Sequence, residues 1–360
     1  MSGYRPPLRP ELVGQHAYGA PVLDVPVRLN VNENPIGPDA DLVAAIAAAV
    51  AQAAPELNRY PDRDAVALRE DLAAYLGHGL TYEHIWVGNG SNEVMAHLFA
   101  AFGGPGRCAL TFTPTYSMYP EYARNGYTRY EAVPLAPDLR LTADAVRGAI
   151  AEHRPGLTLI ASPNNPTGIA VGNAVVRAAC EAGDGIVVVD EAYAEFRRDG
   201  TGSALDLLGQ HPNLVVTRTM SKAFAFAGGR LGYLAAHPAV VEALRVVRLP
   251  YHLSTLTQVV ARTALAHRAS LLANVDLLRA ERDELASWLV AQGLQVYPSD
   301  ANFVLAGPFA DREGVWARLV DHGVLVRVVG PAGYLRISVG TPAENEAVRT
   351  ALTDVMEEQR

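Results

Sequence analysis

Residues 214–232 read LVVTRTMSKAFAFAGGRLG: an apolar strand, a turn that carries Lys222, and a glycine-rich loop that contains Arg230. Lys222 is the only lysine in a chain with 30 basic residues. Arginine can replace lysine at most surface positions, but not where a primary amine must form a covalent imine. The turn therefore predicts a cofactor aldehyde held as a Schiff base on Lys222, with the cofactor's phosphate bound by Thr219, Ser221 and Arg230. An ordinary surface lysine is the alternative, and the lysine count disfavours it.

The sequence on both sides of this stretch alternates short apolar segments with helical ones. Such alternation predicts an α/β fold with a mainly parallel sheet and helices on both faces. Beyond Leu249-Pro250, a long helix at 271–292 precedes shorter strands, which predicts a smaller α+β domain. The predicted strands are residues 108–112, 158–161, 186–189, 214–217, 231–235, 294–297, 302–305, 324–328 and 334–339, and further helices are predicted at 39–54, at 64–76 and from Ser91.

The domain organisation follows from this change of pattern. Residues 1–35 are proline-rich with little periodicity and are predicted to form an N-terminal arm that packs with the small domain. Residues 36–248 are predicted to form the large cofactor-binding domain, and residues 249–360 the small C-terminal domain.

The composition narrows the class of protein. Hydrophobic residues make up 49% of the 360 residues and charged residues 19%, which is typical of a folded chain with a large core. The net charge of −8 argues against a general nucleic-acid binder and a polybasic membrane contact. The polar start is unlike a signal peptide, no apolar run reaches membrane-spanning length, and Cys108 and Cys180 fit a reducing compartment. A soluble cytoplasmic enzyme is the expectation.

A second candidate segment is VVVDEAY, in which Asp190 ends an apolar strand and Tyr193 follows three residues later. The carboxyl ends of parallel strands are where α/β sheets bind ligands. A carboxylate there can keep a cofactor's ring nitrogen protonated, and Tyr193 can hydrogen-bond the ring's phenolate oxygen. A helix cap or a metal site is the alternative, although no His or Cys cluster lies nearby and no metal is predicted. Asn165, in the turn SPNNPTG, could reach the same oxygen, but composition alone favours a plain turn.

Three weaker signals complete the candidate set. The GNGSNE segment at 88–93 opens a helix and so offers a site for an anion, but it lacks the Gly-Lys-Ser/Thr of a nucleotide loop. Tyr116 could stack on a flat ring, or be a core or interface tyrosine. Arg336 alternates with apolar residues on a strand and could clamp a carboxylate or phosphate. Arg327 could do the same, with a solvated edge charge as a serious rival.

In this order, the segments resemble the fold-type I pyridoxal-phosphate aminotransferases, and among them the histidinol-phosphate aminotransferases, closest to the actinobacterial type. The resemblance covers nearly the whole chain. The specific pieces are residues 29–35 (LNVNENP), 58–62 (NRYPD), 162–168, 190–193, 217–233, 249–254 (LPYHLS) and 335–340. The Asn-Pro-Thr-Gly and Ser-Lys pieces mark the broad superfamily, and the others mark the narrower group.

The resemblance implies a role for each matched residue. Lys222 would hold pyridoxal 5'-phosphate and shuttle a proton, with Asp190 and Tyr193 as further catalytic residues. Tyr60 would reach the cofactor of a neighbouring subunit, which implies a homodimer with shared active sites. The implied cofactor-binding positions are Tyr60, Gly90, Ser91, Asn92, Tyr116, Asn165, Asp190, Tyr193, Ser221, Lys222 and Arg230, and the implied substrate-binding positions are Tyr18, Asn32, Arg327 and Arg336.

The implied activity is ping-pong transamination: histidinol phosphate and 2-oxoglutarate give imidazole-acetol phosphate and glutamate, a step of histidine biosynthesis. One departure is Val328, because relatives often carry Asp there as a charge partner for Arg327. It leaves open a related enzyme of specialised metabolism that transaminates an aromatic amino acid, or eliminates or decarboxylates another. A non-enzymatic effector sensor would need an added DNA-binding domain, for which residues 1–35 are too short.

Overall fold

The computed structural model describes residues 6–358. Residues 1–5 of the predicted arm and 359–360 of the predicted small domain lie outside the described residues. The helices are α1 Ala40–Ala53, α2 Val66–Leu76, α3 Ser91–Phe102, α4 Tyr119–Asn125, α5 Ala143–His153, α6 Asn173–Glu181, α7 Pro238–Val247, α8 Thr255–Ala266, α9 Arg268–Ala291, α10 Arg312–Asp321 and α11 Pro342–Glu357. The strands are β1 Val27–Arg28, β2 Ile85–Asn89, β3 Cys108–Thr113, β4 Arg129–Pro134, β5 Leu157–Ala161, β6 Ile186–Asp190, β7 Leu214–Thr219, β8 Leu231–Ala236, β9 Gln295–Val296, β10 Phe303–Gly307, β11 Val324–Leu325, β12 Arg327–Val328 and β13 Leu335–Ser338.

Seven strands form the large sheet in the order β2-β8-β7-β6-β5-β3-β4. All of its pairings are parallel except those of β8, which runs antiparallel to both of its neighbours. The central strands β5, β6 and β7 are buried along almost their whole length and are rich in Val, Leu and Ile, as expected where helices cover both faces of a sheet. The α/β class and the mainly parallel sheet are therefore confirmed.

Two strands of this sheet were absent from the sequence prediction. The β2 strand lies at one edge, and its residues, IWVGN, lead directly into the turn before α3. In the sequence, the pattern that marks the start of this helix obscures the strand. The β4 strand lies at the other edge and reads RYEAVP, with partly exposed positions instead of a continuous apolar run. Edge strands are the least buried part of a sheet and give the weakest hydrophobic pattern.

The register of the sheet places three loop starts side by side. Ala161 of β5 pairs with Asp190 of β6, and Asp190 pairs with Thr217 of β7. These three parallel strands therefore reach their carboxyl ends at the same level, with the turns that follow them at one edge of the sheet. The predicted cofactor residues of 162–168, 190–193 and 219–222 lie at this edge.

A second, four-stranded antiparallel sheet has the order β12-β13-β10-β9. The predicted single strand at 324–328 is wrong in one respect, since the structure divides it into two. The β11 strand pairs in parallel with β1, and β12 pairs with β13. The pairing with residues 27–28, far away in sequence, could not be read from the local pattern.

The long helix α9 joins two hydrophobic cores. Its buried positions are spaced four and three residues apart, as expected for one face of a helix: Leu271, Val275, Leu278, Arg282, Leu285 and Leu289. The first three apolar side chains pack in the core of the large sheet, and the last two in the core of the small sheet. The domain boundary at residue 249 stays a prediction. The packing of α9 favours a boundary within this helix. Among residues 6–358, no helix is long and apolar enough to cross a membrane.

Candidate active site

A cavity of about 750 Å³ opens at the carboxyl edge of β5, β6 and β7, between the two sheets. The residues singled out from the sequence that line it are Tyr18, Asn32, Ser91, Asn92, Tyr116, Asn165, Asp190, Tyr193, Thr219, Ser221, Lys222, Arg230, Arg327 and Arg336. Gly90, which lies next to Arg230, and Tyr60 are not among the residues that line the cavity. The structure thus brings together residues from ten separate segments of the chain, of which the parallel register aligns those after β5, β6 and β7.

Lys222 projects into this cavity from the turn after β7. Its Nζ donates a hydrogen bond to the carbonyl oxygen of Val31, 3.0 Å away. Burial, followed by the positive charge of Arg336, lowers the pKa of the amine from 10.5 to about 8, while Glu33 opposes this shift. A larger fraction of the amine is therefore neutral near physiological pH than for an exposed lysine, and the neutral form is the nucleophile.

Asp190 forms the floor of the cavity, and only 7% of it is exposed. One carboxylate oxygen accepts a hydrogen bond from the hydroxyl of Tyr119 at 3.0 Å, and the other accepts one from Thr217 at 3.2 Å. Burial raises the pKa of this carboxyl group against the effect of those hydrogen bonds. A cationic ring nitrogen in the cavity would reverse the shift and stabilise the charged form.

Two polar side chains that line the cavity, Tyr193 and Asn165, could hydrogen-bond a cofactor's ring oxygen. The Tyr193 hydroxyl accepts a hydrogen bond from the amide nitrogen of Asn32 at 3.0 Å, and its ring packs edge-on against Phe303. The amide oxygen of Asn165 accepts a hydrogen bond from Arg336 at 2.7 Å. Because its oxygen is engaged, Asn165 keeps its amide nitrogen as the group that can donate into the cavity.

An anion cradle lies beside Lys222. The amino end of α3 begins at Ser91, and Gly90 precedes it with φ of 78°. A Cβ at Gly90 would overlap the guanidinium of Arg230, so only glycine allows this close approach. The hydroxyls of Thr219 and Ser221 lie 2.9 Å apart on the same side. A helix amino end, a guanidinium and two hydroxyls are a suitable donor set for a phosphate.

Tyr116 lines the cavity next to this cradle. Its hydroxyl donates a 3.4 Å hydrogen bond to the amide oxygen of Asn92, which also accepts one of 2.8 Å from Tyr122. Its ring meets that of Tyr119 edge-on, with centroids 5.5 Å apart. The ring is therefore oriented by contacts on two sides, and a flat cofactor can stack on its free face.

Two arginines define the other end of the cavity. Arg327 and Arg336 are cross-strand partners on β12 and β13. Arg336 donates 2.7 and 2.6 Å hydrogen bonds to Asn165 and to the carbonyl oxygen of Asn30, and burial lowers its pKa to about 10. Nε of Arg336 and Nη1 of Arg327 are buried without a partner among the described residues. Both side chains line the cavity, and neither forms an ion pair within residues 6–358, which indicates an anion site.

Val328 bears on this end only indirectly. Successive strand residues point to opposite faces, and Arg327 lines the cavity while Val328 packs against the core of the small sheet. The side chain at position 328 therefore lies on the face of β12 that turns away from the substrate end.

Tyr18 lines the cavity from the N-terminal segment. Its hydroxyl shares a 2.9 Å hydrogen bond with the hydroxyl of Ser117, which also lines the cavity.

Tyr60 is not part of the cavity of its own chain. Its side chain is 80% exposed, and its ring stacks on that of Tyr251 with centroids 4.5 Å apart. Its proposed contact with a neighbouring subunit's cofactor therefore stays a prediction.

Several supporting residues escaped the sequence analysis. Tyr119 and Thr217 hold Asp190, and Ser338 donates a 2.7 Å hydrogen bond to the amide oxygen of Asn32. Ser338 had a usable signal, because it lies two residues after Arg336 on the same face of β13. Tyr119 and Thr217 had none, since only the fold brings them to Asp190. Among residues 6–358, no group of His, Cys, Asp and Glu could hold a metal ion.

The donor set fits pyridoxal 5'-phosphate. The cavity supplies one amine, a buried carboxylate for a ring nitrogen, polar groups for a ring oxygen and a phosphate cradle whose glycine leaves room for Arg230. The fold and this site define a pyridoxal-phosphate-dependent transaminase. The family model for aminotransferase class I and II matches residues 25–352, and the chain belongs to this family.

Relatives of known name place the chain more narrowly. It is 58% identical to a histidinol-phosphate aminotransferase of Thermobifida fusca, over 96% of this chain and 94% of the relative. It is also 58% identical to one of Frankia casuarinae, over 96% of this chain and 89% of the relative. Among solved structures, the histidinol-phosphate aminotransferase of Sinorhizobium meliloti in complex with pyridoxal-5'-phosphate matches with a TM-score of 0.89 and 25% identity, covering 99% of this chain and 100% of that one.

Proposed function

We propose that the chain transfers an amino group between histidinol phosphate and 2-oxoglutarate, giving imidazole-acetol phosphate and glutamate in histidine biosynthesis. The observation that carries the proposal is that Arg327 and Arg336, which form no ion pair within residues 6–358, line the same cavity as Lys222. The names of the relatives support the same substrate. They do not favour the alternative, a related enzyme of specialised metabolism that acts on another amino acid.

The cofactor, when bound, draws electrons from the carbon that carries the substrate's amino group and so acidifies the hydrogen on that carbon. Lys222 would hold the cofactor and, once its amine is displaced by the substrate's amine, would take that proton from the substrate's carbon and deliver it to the cofactor's C4′. Asp190 would keep the ring nitrogen protonated. Asn165 and Tyr193 would hydrogen-bond the ring oxygen, and Tyr116 would stack on the ring. Ser91, Asn92, Thr219, Ser221 and Arg230 would hold the phosphate, with Gly90 leaving room for Arg230.

The two substrates share the arginine end of the cavity in turn. A planar guanidinium can form two parallel hydrogen bonds with a carboxylate or with a phosphate. Arg336 is held by hydrogen bonds to Asn30 and Asn165, which use two of its five N–H donors, and its side chain lines the cavity. It therefore binds the phosphate of histidinol phosphate or the carboxylate of glutamate, and Arg327, Asn32 and Tyr18 add contacts.

We also propose that the protein works as a homodimer in the cytoplasm. Exposed apolar side chains support the first point: Leu57, Tyr60, Val246, Leu249 and Tyr251 are between 41% and 84% exposed, and the rings of Tyr60 and Tyr251 stack on each other. The two free cysteines, both buried, fit a reducing compartment. If Tyr60 serves the partner's site, mixing inactive Tyr60→Phe and Lys222→Ala proteins restores activity through hybrid dimers. Recovery no greater than that of the separate variants contradicts the shared site.

The experiment that tests the reaction is a single-turnover absorbance scan of the cofactor-loaded protein. Histidinol phosphate, glutamate, and aromatic and sulfur amino acids are added separately. We expect the cofactor band to be lost with histidinol phosphate and with glutamate. Loss only with another amino acid, above all with release of pyruvate, ammonia or carbon dioxide, overturns the proposal.

A further inference from the structure

The charges around the cavity are unequal. Four cationic side chains line it, namely Lys222, Arg230, Arg327 and Arg336, and two carboxylates, Asp190 and Glu33. Asp190 lies on the floor and is engaged by Tyr119 and Thr217. Glu33 is exposed at the rim, and within residues 6–358 its carboxylate has no ion pair and no hydrogen bond. Glu33 is therefore the carboxylate of the cavity that is free to bind a substrate.

The backbone on both sides of Glu33 is fixed, although its side chain is free. The backbone carbonyl of Asn32 accepts a hydrogen bond from Asn302 at 3.1 Å, and the Asn32 side chain is held by Ser338. Asn34 donates from its amide to the carbonyl oxygen of Ala223 at 3.3 Å, next to the catalytic lysine. The anchored backbone fixes where the Glu33 side chain starts, so only that side chain has to be ordered when it binds a ligand.

The segment that carries Glu33 also contacts Arg336 and Lys222. The carbonyl oxygen of Asn30 accepts a hydrogen bond from Arg336, and that of Val31 accepts one from Lys222. The chain turns at Asn32, which has φ of 56°, and Glu33 follows. Three residues span at most about 10 Å, so Glu33 lies within that distance of the backbone that contacts the anion site and the reacting amine.

The proposed substrate has matching chemistry. The carbon that carries its amino group bears a phosphate ester on one arm and an imidazole ring on the other. With the phosphate at Arg336 and the amino group at Lys222, the imidazole arm extends toward the rim. An imidazole ring always keeps at least one N–H donor and is partly cationic near neutral pH, and a carboxylate is a suitable acceptor for it.

We propose that Glu33 recognises the imidazole ring of histidinol phosphate, so that this end of the site prefers an imidazole to a carboxylate. This inference rests on the proposed function. The same carboxylate repels the second carboxylate of glutamate. Glu33 therefore distinguishes the two substrates, because it attracts the imidazole of histidinol phosphate and repels glutamate.

The test compares Glu33→Gln with the wild type and with Glu70→Gln, a control that removes an exposed carboxylate on α2 outside the cavity. In single-turnover reactions, Glu33→Gln is expected to lower the rate with histidinol phosphate at limiting substrate roughly tenfold, the size of one hydrogen bond to a charged group. The rate with glutamate stays the same or rises. Glu33→Asp keeps the charge, and its rate with histidinol phosphate is expected to lie between those of the wild type and Glu33→Gln.

A binding measurement separates recognition from an effect on Lys222. Calorimetry with two unreactive ligands, 3-(imidazol-4-yl)propyl phosphate and 3-phenylpropyl phosphate, compares a ring with N–H donors to one without. Glu33→Gln should weaken only the imidazole ligand. Equal weakening of both ligands, no weakening of either, or an equal loss in the two half-reactions overturns the proposal. If the wild type and Glu70→Gln also fail to react with histidinol phosphate, the proposed function itself has failed.

Discussion

The two ends of the active-site cavity are built differently. At the cofactor end, Asp190 and Asn92 are already hydrogen-bonded by side chains of α4, and the hydroxyls of Thr219 and Ser221 are hydrogen-bonded to each other. At the substrate end, Arg327 and Arg336 keep buried donors without partners among the described residues. The first end is organised to hold one molecule throughout the reaction. The second leaves its binding capacity open, because two different substrates must use it in turn.

The largest expected effect comes from removing the single amine on which both ends depend. Lys222→Ala should lower the single-turnover rate about a thousandfold or more, because the proton carrier and the covalent anchor are lost together. Lys222→Arg is the matched variant, since it keeps the charge but cannot form an imine, and it should be equally slow. Borohydride reduction of the loaded wild type should fix the cofactor on Lys222. A label elsewhere, or a variant with a tenth of the normal rate, contradicts the assignment.

The next prediction tests the comparison itself with one arginine from each end. Arg230→Gln should weaken cofactor binding by roughly ten- to a hundredfold, because it removes a charged partner of the phosphate. Arg336→Gln should leave the cofactor dissociation constant within about threefold and lower kcat/KM for both substrates by roughly a hundredfold. Fluorescence titration gives the first quantity and steady-state kinetics the second. If both variants change the same quantity, the two ends are not separable.

The titration of Lys222 offers a smaller but cleaner signal, since no other lysine competes for an amine reagent. In the cofactor-free protein, acylation of Lys222 should rise with a midpoint near pH 8 and not near the ordinary 10.5. Between these two values the unfolded chain binds the additional proton, so the free energy of unfolding should increase with pH over this interval. Mass spectrometry of the modified peptide measures the midpoint. A value near 10.5 would show that the cavity does not desolvate the amine.

The smallest effect on catalysis is expected at Val328. Because its side chain packs on the core side of β12, Val328→Asp should change kcat/KM less than about tenfold while lowering the free energy of unfolding by roughly 1–3 kcal/mol, the cost of burying a polar group. Denaturant unfolding and kinetics measure the two effects. A large kinetic effect with unchanged stability would place this side chain at the substrate end after all.

Much of the fold and cofactor end could be predicted from local pattern. The apolar strands of the large sheet and the residues that follow them, including Asp190 and Lys222, lie where alternation and turn position predicted. The edge strand β4 and the division of 324–328 into two strands could not be predicted, because partly exposed strands and long-range pairing leave weak local signals.

The sequence by itself determined which chemistry is possible: one lysine, a strand-ending carboxylate and arginines placed on strands. The tertiary structure decided which of these groups meet and in what state. Desolvation and the nearby Arg336 charge, neither of which is local in sequence, lower the pKa of Lys222. Tyr119 reaches Asp190, and Asn30 fixes Arg336, across long stretches of chain. Hydrogen bonds and charge interactions act through space, so the groups that tune a site are set by packing and register and not by proximity along the chain.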